Sequence, residues 1–534
     1  MFIRTAIIIS CFLFIAIIAQ SGRLEVGVKA SGSDDKSDTV IAGAGTLDTS
    51  FGINGVVVTT VGLGNEVGQA VAMQPDGKIV VGGYANTAGN NDFAVFRYMP
   101  DGTLDNTFDG STNANGAILT QIGPSDEEAY GIAIQNDGKI ILAGQSYDGM
   151  RSTIAFVRYN PDGTLDNSFS GDGRQVVLPL VGGSIVRSVA VRPDGKIVAA
   201  GNASNGVNQD IVVVQLNANG ELDETFDGVA GNGNGIVTVS IGSANDFGYG
   251  VAAQADGKIV VAGYFTNATS TDTVVFRLNA DGRFDSTFSK DGISTISFSP
   301  EADEALALAL APDGKIVIAG CIRNGGPNDF LFARFADNGS LDQSFGTNGS
   351  TVVPFSGSSD LALGMAVQPN GKIVAVGFGS NGANNDFAVA RVNTNGSLDT
   401  TFGDNGRALT MIGSSTDSAN AVAVQADGRI VVVGRTTSNS SDLAILRYEP
   451  GFASISGRVF GPNGAPLRGT RVLLIDANSQ TRSATTSTFG YYQFDNVLVS
   501  RTYTLAAVSR RYRFVPLEVV LSDNLADRNL TGLE

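Results

Sequence analysis

The chain has 534 residues, too many for one ordinary core. Its 68 glycines and 43% hydrophobic residues, rich in Val, Ile, Phe and Thr, call for many short strands joined by tight turns. A formal charge of -17 opposes nucleic acid as a partner, and the absence of His and Trp excludes imidazole bases, histidine-ligated zinc and indole stacking platforms.

Residues 1–19 carry one charge, Arg4, ahead of an apolar run from Thr5 to Ala19 that reads as a secretory signal. The run is about 15 residues, shorter than the roughly 20 that span a bilayer, and an uncleaved anchor is the alternative. If the signal is cleaved, no stable membrane anchor remains. Cys11 lies in that run and Cys321 stands alone in the remainder, so no intrachain disulfide is expected there. Residues 20–44 read as a flexible linker.

From residue 45 to 450 one unit recurs seven times. Its sharpest marker is an Asp-Gly-Lys-Ile turn: Asp76-Gly77, Asp137-Gly138, Asp194-Gly195, Asp256-Gly257, Asp313-Gly314, Asn370-Gly371 and Asp427-Gly428. The glycine spacings are 61, 57, 62, 57, 57 and 57. A second marker, Leu-Asp-x-x-Phe, begins at Leu47, Leu104, Leu165, Leu222, Phe284, Leu341 and Leu398. Each unit holds four strand-like runs, in the first copy Val56 to Val61, Ala70 to Gln74, Lys78 to Gly83 and Phe93 to Tyr98. The Asp-Gly step is expected to supply the positive φ angles of a tight hairpin between the second and third runs.

The run before that turn alternates small and large side chains, with Ala two residues after each small one, which suits the innermost strand of a blade. The run after it ends in Gly at 83, 144, 201, 263, 320, 377 and 434, and its unbroken Val/Ile content implies burial on both faces. Leu-Asp-x-x-Phe and an outer strand come first at 47 to 61, while the seventh copy stops at Tyr448 without either. The first strand is therefore expected to complete the last blade. The fold class predicted is all-β, a closed seven-bladed propeller of four-stranded blades, and monomeric.

These motifs, with Asp-Phe-Ala-Val-x-Arg-Tyr after them, resemble the delta-60 repeat of bacterial exported proteins, a resemblance that covers about residues 45 to 450. The family is described by its repeat, so the resemblance implies location and fold more than activity. Gln215 replaces the strand Arg of copy three, and Ser152-Thr153 replace the Asp of copy two. From 451 to 534 the composition changes. Gly457-Arg458-Val459, Gly464-Ala465-Pro466-Leu467 and Phe489-Gly490-Tyr491-Tyr492 resemble the carboxypeptidase regulatory-like domain. That implies a transthyretin-like β-sandwich of about seven strands serving as spacer or adhesion module.

Residues repeated in every blade suit a scaffold, whereas a site is needed once. The Asp-Gly pairs read as turn chemistry, and the Asp of Leu-Asp with the strand Arg as a buried polar network. Six carboxylates open the inner strands: Glu66, Glu127, Asp246, Asp303, Asp360 and Asp417, with Ser184 breaking the series. They either ring one mouth of the channel, reinforced by Asp126, Glu128, Glu301 and Glu304, where calcium or a basic partner would bind, or each caps its own turn. Apart from such a calcium, no cofactor is expected. The variable loops near 85–91, 146–152, 202–209, 265–271 and 322–328 share that rim. Extra residues after Phe108 and Phe226 read as insertions at the opposite rim.

No Ser-His-Asp set, phosphate loop or zinc spacing occurs, and no catalytic residue is assigned. The leading reading is an exported, non-enzymatic binding or structural protein of the bacterial surface or medium, contacting protein or glycan. A carboxylate-based polysaccharide hydrolase or lyase and an architectural envelope component are the alternatives.

Overall fold

The structure, a computed structural model, describes residues 26–29 and 45–533 except 62–63, 87–88, 109–114, 227–232, 356, 438–439, 478, 500 and 522–524. The expected signal at 1–19 and the insertions after Phe108 and Phe226 fall outside the described residues. All the regular elements described are strands.

Each unit forms an antiparallel sheet of four strands, A to D from the axis outward. In blade 1 these are Glu66–Met73, Ile79–Asn86, Asn91–Tyr98 and Ala117–Thr120. Strand A recurs at Glu127–Ile134, Ser184–Val191, Asp246–Ala253, Ala302–Leu310, Leu361–Val367 and Asp417–Val424. Each strand A touches the next, and Asp417–Val424 returns to Glu66–Met73, so the ring is closed. Val56–Val61 is the outer strand of blade 7, running antiparallel to Ser441–Tyr448 in the register Val56↔Leu446 and Thr59↔Leu443. Val57, Val58 and Val61 of this closing strand are buried, each contributing about 1.5–3 kcal/mol.

Within the stretch expected as linker, Val26–Lys29 pairs with Val56–Val61 as a fifth strand of that blade. An outer strand leaves one row of backbone groups unpaired, and the segment just ahead of it fills that row.

The cores lie between blades. One cluster joins Val80, Phe93 and Val95 of blade 1 to Ile140, Leu142 and Ala155 of blade 2, which is why strands B and C are apolar on both faces. The A–B turns depart from the simple hairpin expected. Gln74 N–H donates to the Lys78 carbonyl and Gly77 N–H to the Gln74 carbonyl, both at 2.9 Å, closing a three-residue loop. Only the glycine of the pair has positive φ, 85° at Gly77, while Asp76 accepts the Lys78 N–H at 3.2 Å.

Every strand A carries a β-bulge three residues before its alanine, as at Gly68/Ala70 and Gly248/Gly250. The bulge explains the glycine ending each strand B. A Cβ on Gly83, Gly144, Gly201, Gly263, Gly320 or Gly434 would stand 1.9 Å from a strand A carbonyl oxygen.

Beyond Gly451 two four-stranded sheets enclose a core that includes Ile455, Val472, Leu505 and Leu521. One orders Tyr491–Leu498, Phe452–Phe460, Leu530–Leu533 and Arg513–Phe514; the other orders Thr481–Thr485, Arg471–Ile475, Arg501–Val508 and Leu517–Leu521. Arg501 reaches back to the last A–B turn, 3.2 Å from Asp427.

Candidate functional site

The disk has a turn face, carrying the A–B turns and Leu-Asp-x-x-Phe, and a loop face, carrying the B–C loops and the starts of strand A. On the turn face the repeated charges form one network per blade. In blade 1 Arg97 Nε donates to Asp105 at 2.8 Å, Lys78 Nζ reaches the same oxygen at 3.0 Å, and the guanidinium lies 4.2 Å over Phe108. Arg97 also donates to the Pro161 carbonyl of the next blade. Burial raises the Asp105 pKa, but bonds from Thr107 and Lys78 and the Arg97 charge outweigh it and hold the carboxyl well below the usual range. The lysine of Asp-Gly-Lys thus belongs to the polar network as well as to the turn.

Blade 3 makes the same network with two residues exchanged. Arg192 stands where Gln74 and Gln135 stand in blades 1 and 2, and donates to Gln215 at 2.7 Å and to the Ala280 carbonyl of blade 4 at 3.0 Å. Gln215 donates to Asp223 at 2.6 Å. The substitution at 215 is compensated by its partner across the sheet.

On the loop face Glu66, Glu127, Asp246, Asp303, Asp360 and Asp417 are all 0% exposed, so they do not line an open mouth. Five of them are seen to accept backbone N–H groups from the connection just before their own strand. Ile122 N–H donates to Glu127 at 3.0 Å, Ile241 N–H to Asp246 at 2.7 Å, Phe298 N–H to Asp303 at 2.8 Å, Phe355 N–H to Asp360 at 2.8 Å and Ile412 N–H to Asp417 at 2.9 Å. This is the turn-capping arrangement. Among the described residues no group of three or more Cys, Asp or Glu is placed to hold a metal ion.

A different set occupies the mouth. The bulges hold Gln69, Tyr130, Arg187, Tyr249, Leu306, Leu363 and Asn420, which differ from blade to blade, and a bulge re-aims its side chain out of the pleat. Beside them stand cross-strand pairs: Glu128↔Gln145, Ile185↔Asn202, Phe247↔Tyr264 and Glu304↔Cys321. Gln145 Nε2 donates to Glu128 at 3.1 Å and to Tyr130 Oη at 3.3 Å, and Tyr130 Oη donates to Glu128. Arg187 bonds Asn202 and lies 4.5 Å over the Tyr249 ring, which stacks on Tyr264 at 5.7 Å. Thr271 Oγ1 donates to Glu304 at 3.3 Å.

The electrostatics keep the Tyr130 and Tyr264 phenols and the Cys321 thiol protonated. Burial, then Glu128, pushes the Tyr130 phenol far above its ordinary value, against the pull of Arg187. Burial and Tyr249 do the same for Tyr264. Burial, Glu304 and Asp303 push the Cys321 thiol up to about 12, so it is no nucleophile. Sequence reasoning named Glu128 and Glu304 only as reinforcement and missed Tyr130, Arg187, Tyr249 and Tyr264. The signal available was variation at one register position among seven otherwise matching strands.

The repeated units match the family described as a domain of unknown function (DUF5122) beta-propeller over residues 74–108, 135–169, 192–226, 254–288, 311–345, 368–402 and 425–451. The chain carries seven DUF5122 propeller repeats. Each match runs from the residue before the A–B turn through strands B and C to the Phe of Leu-Asp-x-x-Phe, except that the last stops at 451. Residues 454–527 match the carboxypeptidase regulatory-like domain.

No curated protein matches the chain. Among solved structures, the DUF5122 propeller is similar to a putative gluconolactonase at 15% identity, TM-score 0.29, covering 60% of this chain and 88% of that one. It is similar to a PL25 ulvan lyase at 12% identity, TM-score 0.38, covering 73% and 94%, and to Sqt1 of Chaetomium thermophilum at 11% identity, TM-score 0.37, covering 72% and 95%. Likenesses this low carry no argument about what the chain does.

Proposed function

We propose that the chain is an exported, non-enzymatic binding protein whose propeller takes a saccharide segment of an extracellular polymer at the loop-face mouth. The observation that carries this reading is the arc of non-repeated side chains on the bulges, where Tyr130, Arg187 and Tyr249 stand beside Glu128, Gln145 and Tyr264. Tyrosine rings offer flat apolar faces to sugar C–H groups, and planar amide, carboxylate and guanidinium groups bond vicinal hydroxyls in pairs. Phenols and a thiol held protonated are donors and not bases, which favours recognition over chemistry. The sandwich, tied to the last A–B turn through Arg501, serves as spacer or attachment.

Retention of the full chain on polysaccharide affinity gels tests the reading. Arg187→Ala and Tyr249→Ala are each expected to weaken retention about tenfold or more, the loss of one charged hydrogen bond or stacking contact, while Asp76→Asn on the turn face leaves it unchanged. Equal retention by all three variants, or by none including the parent, sinks it. The alternative of a carboxylate hydrolase draws on Glu304, whose pKa burial raises toward that of a general acid. Turnover of an extracellular polysaccharide that Glu304→Gln abolishes would establish that reading instead.

A further inference from the structure

The loop-face carboxylates have partners that belong to the neighbouring blade. The second residue of strand C is Asp92, Asp210, Asp272, Asp329, Asp386 or Asp442 in six blades and Thr153 in blade 2. Thr271 bridges Ala302 in parallel, which sets Asp272 abreast of Asp303 across the boundary. Gln209 N–H donates to Asn245 Oδ1 at 2.9 Å and Asn91 N–H to Asp126 Oδ1 at 2.9 Å, giving the same register for Asp210 with Asp246 and Asp92 with Glu127. At the one boundary where strand C offers Thr153, the facing residue is Ser184, so both members of that pair lost the carboxyl together. A turn cap alone gives no reason for that coincidence, since a cap does not depend on the blade before it.

The pairs are dry. Asp210 and Asp246 are 5% and 0% exposed, and Asp386 and Asp417 are 1% and 0% exposed. In each of these four side chains Oδ2 is bonded, by the Asn205 amide, Ile241 N–H, the Asn381 amide and Ile412 N–H respectively, while Oδ1 meets no donor. Opposite Asp246 in its sheet stands Phe265, and opposite Asp210 stands Ala203. Burial and the Asp210 charge raise the Asp246 pKa against the pull of Ile241 and Gly242 N–H, and burial and Asp417 raise that of Asp386 against Asn381. Two ionised carboxylates abreast in such a place repel, and the N–H dipoles already aimed at them disfavour a metal cation there.

We infer that the blade boundaries formed by Asp210 with Asp246 and Asp386 with Asp417 each hold one shared proton, a carboxylic acid donating to the facing carboxylate across the free Oδ1 atoms. Blade packing is then proton-linked: it is complete while the pairs hold their protons and weakens as pH rises through the raised folded values. The Thr153 and Ser184 boundary is neutral at every pH.

Urea unfolding of the full chain from pH 4 to pH 9 tests this, with the infrared carboxylic acid stretch as the direct readout. The parent is expected to lose stability with rising pH and to keep a carboxylic acid band at neutral pH. In Asp246→Asn the unfolding constant should rise about tenfold less per pH unit within that window, one proton fewer being released, and the band should shrink. The double variant Thr153→Asp with Ser184→Asp should add one such proton, which keeps the test sound if Asp246→Asn folds poorly. A pH slope and band unchanged in both variants overturn the inference. So does a stability gain from calcium at fixed pH that Asp246→Asn removes, which would put a cation where the proton is assigned.

Discussion

In blade 6 the two faces of the disk can be compared directly. On the turn face Asp399 receives Arg391 Nε at 2.7 Å and Lys372 Nζ at 3.1 Å, and despite burial those charges, with Thr401, lower its pKa to about 2. On the loop face Asp386 takes the neutral Asn381 amide at 2.6 Å and neighbours Asp417, and its pKa is raised. The same residue type in equally buried positions is pushed in opposite directions by what faces it. The consequences for stability have opposite signs. Asp399 stabilises the fold above its ordinary value of 3.8, and that share is lost as pH falls through about 2. Asp386 stabilises below its raised value, and that share is lost as pH rises through it. A charge met by its opposite makes a cross-link, and a charge met by its like makes a proton site.

The sharpest way to break this contrast is to remove a turn-face cation. Arg277 is 2% exposed and bonds Asp285 at 2.8 Å and Asp337 of the next blade at 2.6 Å, so Arg277→Ala leaves the buried Asp285 to Lys258 as its one cation, at 3.1 Å. Denaturant unfolding should show a loss of about 1.5–3 kcal/mol, that of a charge-assisted hydrogen bond, and a loss below about 1 kcal/mol would mean that blade packing does not depend on the guanidinium. Blade 3 offers a finer test, because its guanidinium reaches blade 4 from the other strand. Arg192→Gln and Gln215→Arg should each destabilise alone, and the double variant should recover about 0.5–3 kcal/mol relative to their sum. Simple additivity would mean that position, and not the pairing, matters. The smallest effect is expected at Arg501→Ala, where the Asp427 contact is partly exposed. Stability should fall by less than about 1 kcal/mol, while limited proteolysis near Gly451 speeds up. Unchanged proteolysis would show that the sandwich is held by other contacts.

Much of this was legible in the chain. Asp-Gly-Lys and Leu-Asp-x-x-Phe are local signals, because a turn needs its residues within a few positions, and so blade number, the places of the turns and the closing strand could be read, although the A–B loop is one residue longer than the simple hairpin expected. The strand B glycines were legible as a pattern, but the reason for them was not. They are bare because the strand A bulge presses a carbonyl against them, and a bulge is a mismatch between two strands that neither strand reveals alone. For the same reason Tyr130, Arg187 and Tyr249 looked like ordinary strand residues until the bulge turned them toward the axis.

The acids mark the boundary between the two kinds of knowledge. The sequence alone determined that seven like units close a ring, since repeat period, turn chemistry and the phase of the ends are all properties of neighbours along the chain. It also offered two fates for the six carboxylates that open the inner strands. Only the tertiary structure decided between an open rim and a dry blade boundary, because burial and the like charge opposite come from another blade, and Thr153 and Ser184 declare themselves a pair only when blades 2 and 3 meet.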